Sequence, residues 1–491
     1  MARILPAQIK SWTAGDLHMS KANRENTEHF YRGISTDTRS LRSGEIFLAL
    51  QGERFDAHNF LRQAIAKGAG ALVIEKSNPE SQKLLEEFAV DDVKQPDLLL
   101  VDDCLEAYGQ IAAGYRQTLL ASVIAITGSV GKTTTRRMVS EVISSQVHTH
   151  ETVDNQNNQI GVPLTLLEAD DDDDVIVAEL GVDRPGEIKK LSQISKPDIA
   201  ILTAIGYSHA AFLGSRENIL KEKTDIISGM KSNGLVLING QDDSLLTWAR
   251  KMRDEISIWL VFNERPDPSQ TEGLSYFWAE NLVLSPTSTS FVVKTNLDAA
   301  IALPVQIPAP GKYLVRAAVF ALACAYALGM DMYKAASACQ HFHNTGNRQN
   351  IVKFPTCLLI DDSYNASPES ILSALETLNL LAKPGQRKVA CLGGIRELGS
   401  YTQAMHRDIA KTLKKDPVDV LYLVGEEMQW LLQGIQEEGL QIETHYYAST
   451  QEIIPDLLED LQADDVILVK GSRYYEMERI HQAIAERFSR A

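Results

Sequence analysis

The sequence predicts an α/β protein with mainly parallel sheets, divided into three domains. Short apolar runs of the kind found in strands buried on both faces alternate along the chain with stretches of helical periodicity. The chain has 491 residues, and at about 150 residues per domain this length corresponds to three domains. The clearest strand patterns lie at residues 123–126, 175–180, 199–205, 235–238, 256–262, 389–392, 420–424 and 466–469.

The first predicted domain covers residues 1–118 and has strand patterns of its own. Apolar runs at residues 44–50, 71–74 and 98–101 are each short enough for a strand and too short for a helix. We therefore expect a small sheet in this part of the chain.

The second and third predicted domains cover residues 119–343 and 344–491. Within the second domain, residues 276–284 and 289–294 flank Ser-Pro and predict a β-hairpin. The aspartate run at residues 170–174 precedes a strand pattern and predicts a solvated turn. We assign it no function.

The net charge of the chain excludes one class of partner. There are 65 acidic and 48 basic residues, so the net charge is -17. Such a field repels polyanions, and we expect no nucleic-acid partner and no attraction to an anionic membrane. One basic pocket for a small anion remains compatible with this charge.

Membrane insertion and disulfide bonding are also not expected. The longest uncharged apolar run, residues 317–330, is shorter than the roughly 20 residues of a membrane-spanning helix and predicts a buried helix. The start of the chain lacks the apolar core of a signal peptide. The cysteines are odd in number and scattered, which favours a reducing compartment and a cytoplasmic protein. They are Cys104, Cys324, Cys339, Cys357 and Cys391.

A phosphate-binding loop is the sharpest single motif. A strand pattern ends at Thr127, a glycine loop follows, and an amphipathic helix begins near Thr133. Gly128 and Gly131 allow backbone N–H groups to point at phosphate oxygens, and Lys132 can bridge the β- and γ-phosphates. The spacing is tighter than G-x-x-x-x-G-K-[ST], because Ile126 stands where that pattern has its first glycine. We predict ATP or GTP binding by Thr127, Gly128, Ser129, Val130, Gly131, Lys132, Thr133 and Thr134.

Further motifs, in order along nearly the whole chain, resemble the Mur ligase family. These are ATP-dependent enzymes that form amide bonds in peptidoglycan synthesis, and the resemblance is greatest to the MurF branch. It implies a UDP-sugar-binding domain, a central P-loop ATP-binding domain and a C-terminal Rossmann-like domain, in a monomer. The motifs occupy residues 35–60 (STDTRSLRSGEIFLALQGERFDAHNF), 127–135 (TGSVGKTTT), 155–167 (NQNNQIGVPLTLL), 178–188 (AELGVDRPGEI), 203–215 (TAIGYSHAAFLGS), 361–370 (DDSYNASPES) and 469–473 (VKGSR).

The resemblance implies that ATP activates the carboxylate of UDP-MurNAc-tripeptide as an acyl phosphate, which the amine of D-Ala-D-Ala then attacks. Thr133, Glu179 and His209 would hold Mg²⁺, and Lys223, carbamylated by CO₂, would add an oxygen ligand. On the residues alone, Glu179 fits a structural cap equally well, and Lys223 fits a solvated helix face better. The implied catalytic set is Lys132, Glu179, His209, Lys223 and Arg348.

The resemblance also implies contacts to the nucleotide and to both substrates. Arg348 would reach the γ-phosphate, and Asp362 would hold the ribose. For Asn157 and Asn158, the residues alone fit the formation of a turn as well as they fit contact with a substrate. The implied substrate-binding residues are Asp37 and Arg39 at the UDP end, Asn157 and Asn158 at the muramoyl peptide, Tyr364 and Asn365 at the dipeptide, and Lys470.

Several positions depart from the MurF pattern. Gly394 replaces the usual Asp, and Ala210 and Ala211 replace the usual Leu-Glu. The usual asparagines near adenine are missing from residues 311–317, where Tyr313 would stack on the base instead. Two alternatives therefore stay open, namely a related amide ligase with another substrate and a non-catalytic nucleotide-binding partner.

Overall fold

The computed structural model describes residues 2–53, 55–88, 95–271, 273–344 and 346–489, and these contain three β-sheets. The N-terminal elements are α1 (Pro6–Thr13), β1 (Asp16–His18), α2 (Lys21–Glu25), β2 (Ile34–Ser35), β3 (Ile46–Leu48), α3 (Leu61–Ala66), β4 (Ala71–Glu75), α4 (Pro79–Phe88), β5 (Asp97–Val101) and α5 (Cys104–Arg116). They form a sheet in the order β1-β5-β4-β3-β2, in which β1 alone is antiparallel. The three strand patterns predicted for this part are confirmed as β3, β4 and β5.

The central elements form a nine-stranded sheet. Those of its first half are β6 (Ser122–Thr127), α6 (Lys132–Ser144), β7 (Thr149–Glu151), α7 (Gly161–Glu168), β8 (Val175–Glu179), α8 (Glu187–Ser195), β9 (Ile199–Leu202), α9 (Ala210–Leu213), α10 (Arg216–Thr224) and β10 (Leu235–Asn239). Those of its second half are α11 (Asp243–Met252), β11 (Ser257–Phe262), α12 (Pro268–Thr271), β12 (Ser275–Leu284), β13 (Thr289–Thr295), β14 (Ala302–Ile307), α13 (Tyr313–Ala327) and α14 (Met332–Ala338).

The strand order β14-β13-β12-β11-β10-β9-β6-β8-β7 makes the central sheet mainly parallel, as predicted. The predicted hairpin is confirmed as the antiparallel pair β12 and β13. Strand β6 lies between β9 and β8, so the carboxyl ends of these three strands meet at one edge. Ligands of open α/β sheets bind at such an edge.

The C-terminal elements form a six-stranded sheet in the order β15-β16-β20-β17-β18-β19. Only β15 is antiparallel, so this sheet too collects the carboxyl ends of its strands at one edge. The elements are β15 (Asn350–Lys353), β16 (Cys357–Asp362), α15 (Pro368–Leu381), β17 (Lys388–Gly393), α16 (Thr402–Lys415), β18 (Val420–Val424), α17 (Gln429–Glu437), β19 (Glu443–Tyr447), α18 (Thr450–Asp460), β20 (Asp465–Lys470) and α19 (Glu478–Ser489).

Helix α5 joins the N-terminal sheet to the central one. Its buried Arg116 donates hydrogen bonds to the backbone oxygen of Ser195 (3.1 Å) and to Asp198 Oδ2 (2.9 Å). Tyr115 on the same helix donates to the backbone oxygen of Ala169 (3.1 Å). Apolar side chains of both parts form one continuous core around this helix. The N-terminal part therefore packs firmly on the central part.

The buried helix predicted from residues 317–330 is α13, which lies in the core of the central part. Within the described part of the chain, no helix is both long enough and apolar enough to cross a membrane. The cysteines are all unpaired and buried, which confirms that they pack as small core residues. The aspartate run lies in a turn between α7 and β8, as predicted.

Candidate active site

The phosphate loop between β6 and α6 is held in shape by the strand next to it. Gly128 has φ +151°, and a Cβ atom there would lie 1.9 Å from Thr203 Oγ1, so only glycine fits. Thr203 Oγ1 donates a hydrogen bond to the backbone oxygen of Val130 (2.6 Å). The N–H of Ser129 donates to the oxygen of Ala204 (2.9 Å). The segment after β9 thus fixes the loop before any nucleotide binds, which lowers the cost of ordering it.

Lys132 lies at the centre of this loop. Its Nζ donates a hydrogen bond to the backbone oxygen of Gly128 (2.8 Å). Burial lowers the pKa of the Lys132 ammonium, Glu179 opposes that shift, and Arg348 adds to it. Arg348, from the C-terminal part, lines the same cleft as Lys132 and so brings a second cation to the space beside the phosphate loop.

Glu179 ends β8 and is buried beside the loop. Thr133 Oγ1 donates to Glu179 Oε2 (2.9 Å), and Asn157 Nδ2 donates to Oε1 (2.9 Å). Arg136, which the sequence analysis missed, lies 3.5 Å from Oε2 through its Nε and 3.1 Å from Glu151 through its Nη1. The structure thus brings the side chains of Glu179, Thr133 and Asn157 together.

The side chain of Asn158 forms a turn, which is the alternative to substrate contact considered in the sequence analysis. Its Oδ1 accepts hydrogen bonds from the backbone N–H groups of Ile160 and Gly161, both at 3.0 Å. These contacts form the turn that leads into α7. Asn158 also lines the cleft, but its side-chain oxygen is already committed to this turn.

Lys223 on α10 is buried, and its Nζ has no hydrogen-bond partner in the described part of the chain. Burial, with a smaller contribution from Lys132, lowers the pKa of the Lys223 amine well below its usual value. The neighbouring Lys221 is exposed. Glu222 accepts hydrogen bonds from the N–H groups of Gly186 (2.7 Å) and Ile188 (2.9 Å). Of the two lysines, only Lys223 is therefore placed to act inside the protein.

His209 follows β9 and contacts the C-terminal part of the chain. Its Nδ1 lies 2.7 Å from Glu397 Oε2 and 3.7 Å from Asp183 Oδ1. The close contact with His209 lowers the pKa of the Glu397 carboxyl. The N–H of Ala211 donates to the backbone oxygen of Glu397 (2.9 Å). Sequence analysis did not assign Glu397 a role, although this residue lies three positions after Gly394, which departs from the family pattern.

Two further contacts bring the central and C-terminal parts together. A Cβ atom on Gly399 would lie 3.0 Å from Ala211 Cα, so the backbones approach closely where the family has larger side chains. The rings of Tyr207 and Tyr401 lie 4.9 Å apart. The small residues at 210 and 211 therefore allow the C-terminal loop to lie against the central part.

The C-terminal sheet places five predicted residues at the same cleft. The Arg348 guanidinium lies 4.2 Å from the centroid of the Tyr364 ring. Lys470 Nζ donates to Asp362 Oδ2 (2.8 Å) and to the backbone oxygen of Asn365 (3.0 Å). Burial raises the pKa of the Asp362 carboxyl, and the nearby Lys470 opposes this shift. Asp362 and Lys470 thus brace each other at the ends of neighbouring strands β16 and β20.

Tyr313 lies at the start of α13 with its ring against the cleft. Asn344 Nδ2 donates hydrogen bonds to the Tyr313 hydroxyl (2.8 Å) and to the backbone oxygen of Gln349 (3.0 Å). Burial raises the pKa of this phenol, which stays protonated at neutral pH. The fixed hydroxyl holds the ring in one orientation.

These elements surround one cleft of about 710 Å³ between the central and C-terminal sheets. Three predicted residues, Thr127, Gly128 and Lys223, are not among the residues that line it. Asp37 and Arg39 lie outside it, in a loop of the N-terminal part, and pair with each other at 2.6 Å. The predicted residues that line the cleft are Ser129, Val130, Gly131, Lys132, Thr133, Thr134, Asn157, Asn158, Glu179, His209, Arg348, Asp362, Tyr364, Asn365 and Lys470.

The fold and the cleft define a P-loop protein whose Rossmann-like C-terminal sheet lies over its nucleotide-binding edge. Three protein-family models match consecutive parts of this chain. "Mur ligase family, catalytic domain" matches residues 30–116, "Mur ligase middle domain" matches residues 126–325, and "Mur ligase, glutamate ligase domain" matches residues 347–473.

Individual relatives match over nearly the full length. The UDP-N-acetylmuramoyl-tripeptide--D-alanyl-D-alanine ligase of Bacillus subtilis is 32% identical, covering 95% of each chain. The ligase of that name from Escherichia coli K12 is 31% identical over 92% of this chain and 93% of its own. A crystal structure of MurF from Acinetobacter baumannii is 29% identical, with a TM-score of 0.83 and 99% coverage of both chains. The chain belongs to the Mur ligase family.

Proposed function

We propose that this chain is an ATP-dependent ligase that joins the carboxylate of UDP-MurNAc-tripeptide to the amino group of D-Ala-D-Ala. One observation carries the proposal: the phosphate loop and Arg348 face one cleft from two different sheets. The names of the full-length relatives support this choice of substrates. We further propose that residues 1–118 bind the UDP-sugar, residues 119–343 bind ATP, and residues 344–491 close the site.

The first step joins two anions. A carboxylate oxygen of the acceptor attacks the γ-phosphorus of ATP, the bond to ADP breaks, and an acyl phosphate forms. Cations fixed beside the phosphates stabilise the charge of this transition state. Lys132 and Arg348 supply two positive charges here, from opposite walls of the cleft.

The second step forms the amide. The amine nitrogen of the dipeptide attacks the acyl carbon, the bond from that carbon to the phosphate oxygen breaks, and phosphate leaves while the nitrogen loses a proton. Closing the cleft would keep water away from the acyl phosphate, which water would otherwise hydrolyse. The contacts of Glu397 with His209 and Ala211 favour that closed arrangement.

Glu179 and Thr133 fit a Mg²⁺ site, because this ion prefers carboxylate and hydroxyl oxygens. When bound, Mg²⁺ would neutralise charge on the phosphates. Among the described residues, no cluster of three His, Cys, Asp or Glu side chains suits a metal ion. Phosphate oxygens of ATP and water would complete the coordination of Mg²⁺ held by these two residues. A carbamate formed by CO₂ on the unpartnered amine of Lys223 would add a further oxygen ligand, while His209 would help to hold a second Mg²⁺.

The remaining predicted residues would handle the substrates. Asp37 and Arg39 would contact the UDP end, which must lie away from the cleft because the reacting carboxylate is at the other end of the substrate. Asn157, beside Glu179, would contact the muramoyl peptide near its carboxylate. Tyr364 and Asn365 would line the dipeptide site next to Arg348.

The proposed function is tested by product analysis. The protein is incubated with ATP, Mg²⁺, UDP-MurNAc-tripeptide and D-Ala-D-Ala, and the mixture is examined by mass spectrometry while phosphate release is followed. We expect UDP-MurNAc-pentapeptide that requires both substrates and ATP. Phosphate release without this product would indicate another amine or acceptor. Nucleotide binding with neither product nor phosphate would favour a non-catalytic partner.

Tyr313 is proposed to stack on the adenine of ATP. Because stacking of a base on an aromatic ring is worth about 1–3 kcal/mol, Tyr313→Ala should raise the KM for ATP about tenfold. Tyr313→Phe keeps the ring and loses only the hydroxyl contact with Asn344, so its KM should stay within about twofold of wild type. Steady-state kinetics with varied ATP measures both values. An unchanged KM in Tyr313→Ala would exclude stacking.

A further inference from the structure

The first residue of the loop after β17 is Gly394, and side chains from other loops occupy the space next to it. Gly394 has no side chain, and a Cβ atom there would lie 2.6 Å from Glu427 Oε2 and 3.2 Å from Tyr475 Cε2. The carboxylate of Glu427 thus occupies the space beside this loop. Glu427 comes from the segment after the neighbouring strand β18, so two loops at one sheet edge share this position.

Glu427 and Tyr474 fix the side chain of Arg396 from two sides. Glu427 accepts a hydrogen bond from the Tyr475 hydroxyl and forms an ion pair with Arg396 Nη1. The Arg396 guanidinium carbon lies 4.6 Å from the centroid of the Tyr474 ring. The backbone N–H of Arg396 donates to Ser472 Oγ (2.9 Å). This guanidinium is therefore held in place before any ligand arrives, which favours binding.

The same guanidinium remains open to the cleft. Its side chain is 46% exposed and lines the space between the two sheets. Of the other cations that line the cleft, Lys470 is buried and bonds Asp362 and Asn365, and Lys132 lies in the phosphate loop. Arg396 also pairs with a carboxylate, that of Glu427, but it does so through Nη1 and on a side chain that stays exposed. In a protein of net charge -17, an anion needs such a local cation in order to bind.

We propose that Arg396 binds the C-terminal carboxylate of the dipeptide substrate, an inference that rests on the proposed function. D-Ala-D-Ala carries an amino group at one end and a carboxylate at the other. Its amino end must reach the acyl phosphate beside the loop of Lys132, so its carboxylate points toward the C-terminal sheet. The planar guanidinium matches a carboxylate through two parallel N–H bonds. Arg396 thereby selects an amine substrate that ends in a carboxylate.

The test compares D-Ala-D-Ala with its C-terminal amide, which keeps the amine and loses the negative charge. In the wild type, we expect the KM for the amide to be at least about tenfold higher than that for the acid, as for a hydrogen bond to a charged group. Arg396→Gln should raise the KM for the acid to the value for the amide and leave the KM for the amide unchanged. Arg396→Lys should lie between the two.

Arg473→Gln is the matched control, because Arg473 is likewise an exposed arginine that lines the cleft and pairs with a glutamate, Glu478 (2.6 Å), but it follows β20 instead of β17. It should discriminate acid from amide as the wild type does. The KM for ATP should be unchanged in both variants, which shows that they fold. Equal increases for acid and amide in Arg396→Gln, or an unchanged KM for the acid, would overturn the inference. A wild type that makes no pentapeptide would instead overturn the proposed function, and this inference with it.

Discussion

Lys132→Ala should lower kcat for pentapeptide synthesis by on the order of 10³-fold, the loss seen when a preorganised charge-stabilising group is removed from an active site. Lys132 is the cation at the centre of the phosphate loop, and its hydrogen bond to Gly128 is the only one its Nζ forms among the described contacts. Little stability should be lost with it. Turnover is measured by phosphate release and pentapeptide mass, and folding by the thermal midpoint.

Two outcomes would contradict this prediction. Retention of most of the turnover in Lys132→Ala would show that the loop does not act on the transferred phosphate. If the wild type itself shows no turnover, the substitution has nothing to remove. That outcome would identify the protein as a nucleotide-binding partner instead of a ligase. Thr134→Ala, which keeps the charge of the loop, is the control and should lose much less activity.

Lys223→Met should lower turnover by about 100-fold, as losses of metal-supporting groups do, and should also stabilise the protein. An unpartnered amine is buried in the wild type at a cost in free energy. A methionine of similar length removes that cost, so in CO₂-free and Mg²⁺-free buffer we expect a gain of roughly 1–2 kcal/mol. Lys221→Met, two residues away on the exposed side, should change neither quantity. Loss of stability in Lys223→Met would contradict the argument.

The stability gain should depend on pH with a definite sign. The pKa of Lys223 is lowered in the folded protein, so between that lowered value and the unfolded value of about 10.4 the unfolded chain binds the extra proton. Wild-type stability therefore rises with pH in this window. The gain in free energy of unfolding in Lys223→Met should be largest at the lower pH values. It should shrink as the pH approaches the pKa of the amine in the unfolded chain. Denaturant unfolding at several pH values measures it.

The carbamate itself has a separate readout. Activity of the wild type should fall in CO₂-depleted buffer and return on addition of bicarbonate, whereas Lys223→Met should not respond. With ¹³C-labelled bicarbonate, a carbamate signal should appear in the NMR spectrum of the wild type and be missing from that of Lys223→Met. Its absence from both would exclude the carbamate without affecting the stability argument.

Local patterns were sufficient to predict the phosphate loop, whereas the role of Glu179 was inferred from the family resemblance, because on the residues alone a structural cap fits equally well. Both follow buried parallel strands, and the carboxyl ends of such strands meet at one edge. The strand β14 was missed because Ala302 and Pro304 occupy two of its exposed positions, so its residues do not alternate clearly between apolar and polar, and a proline argues against a strand. The periodicity around Lys221 and Lys223 could not say which of them is buried, because burial there depends on how α10 packs against α8.

Contacts between distant parts of the chain could not be read from the sequence. The approach of Glu397 to His209 joins residues almost two hundred positions apart and depends on how two sheets pack. The fixing of Arg396 by Glu427 and Tyr474 likewise needs three loops of one sheet edge. The motif departure at Gly394 marked the right region, but only the structure identified the side chain that fills it.

Arg396 and Glu397 are consecutive residues of one loop, and this adjacency has a kinetic consequence. Any motion that draws Glu397 away from His209 must carry Arg396 with it, so the two contacts are made and lost together. The dipeptide would find its guanidinium in position only after the loop has docked. Nucleotide and acceptor, which are proposed to bind on the side of the phosphate loop, are therefore expected to arrive first, and the amine last. A dipeptide that arrived before the loop has docked would find its binding site incomplete. The acyl phosphate would form only once the docked loop has closed the cleft.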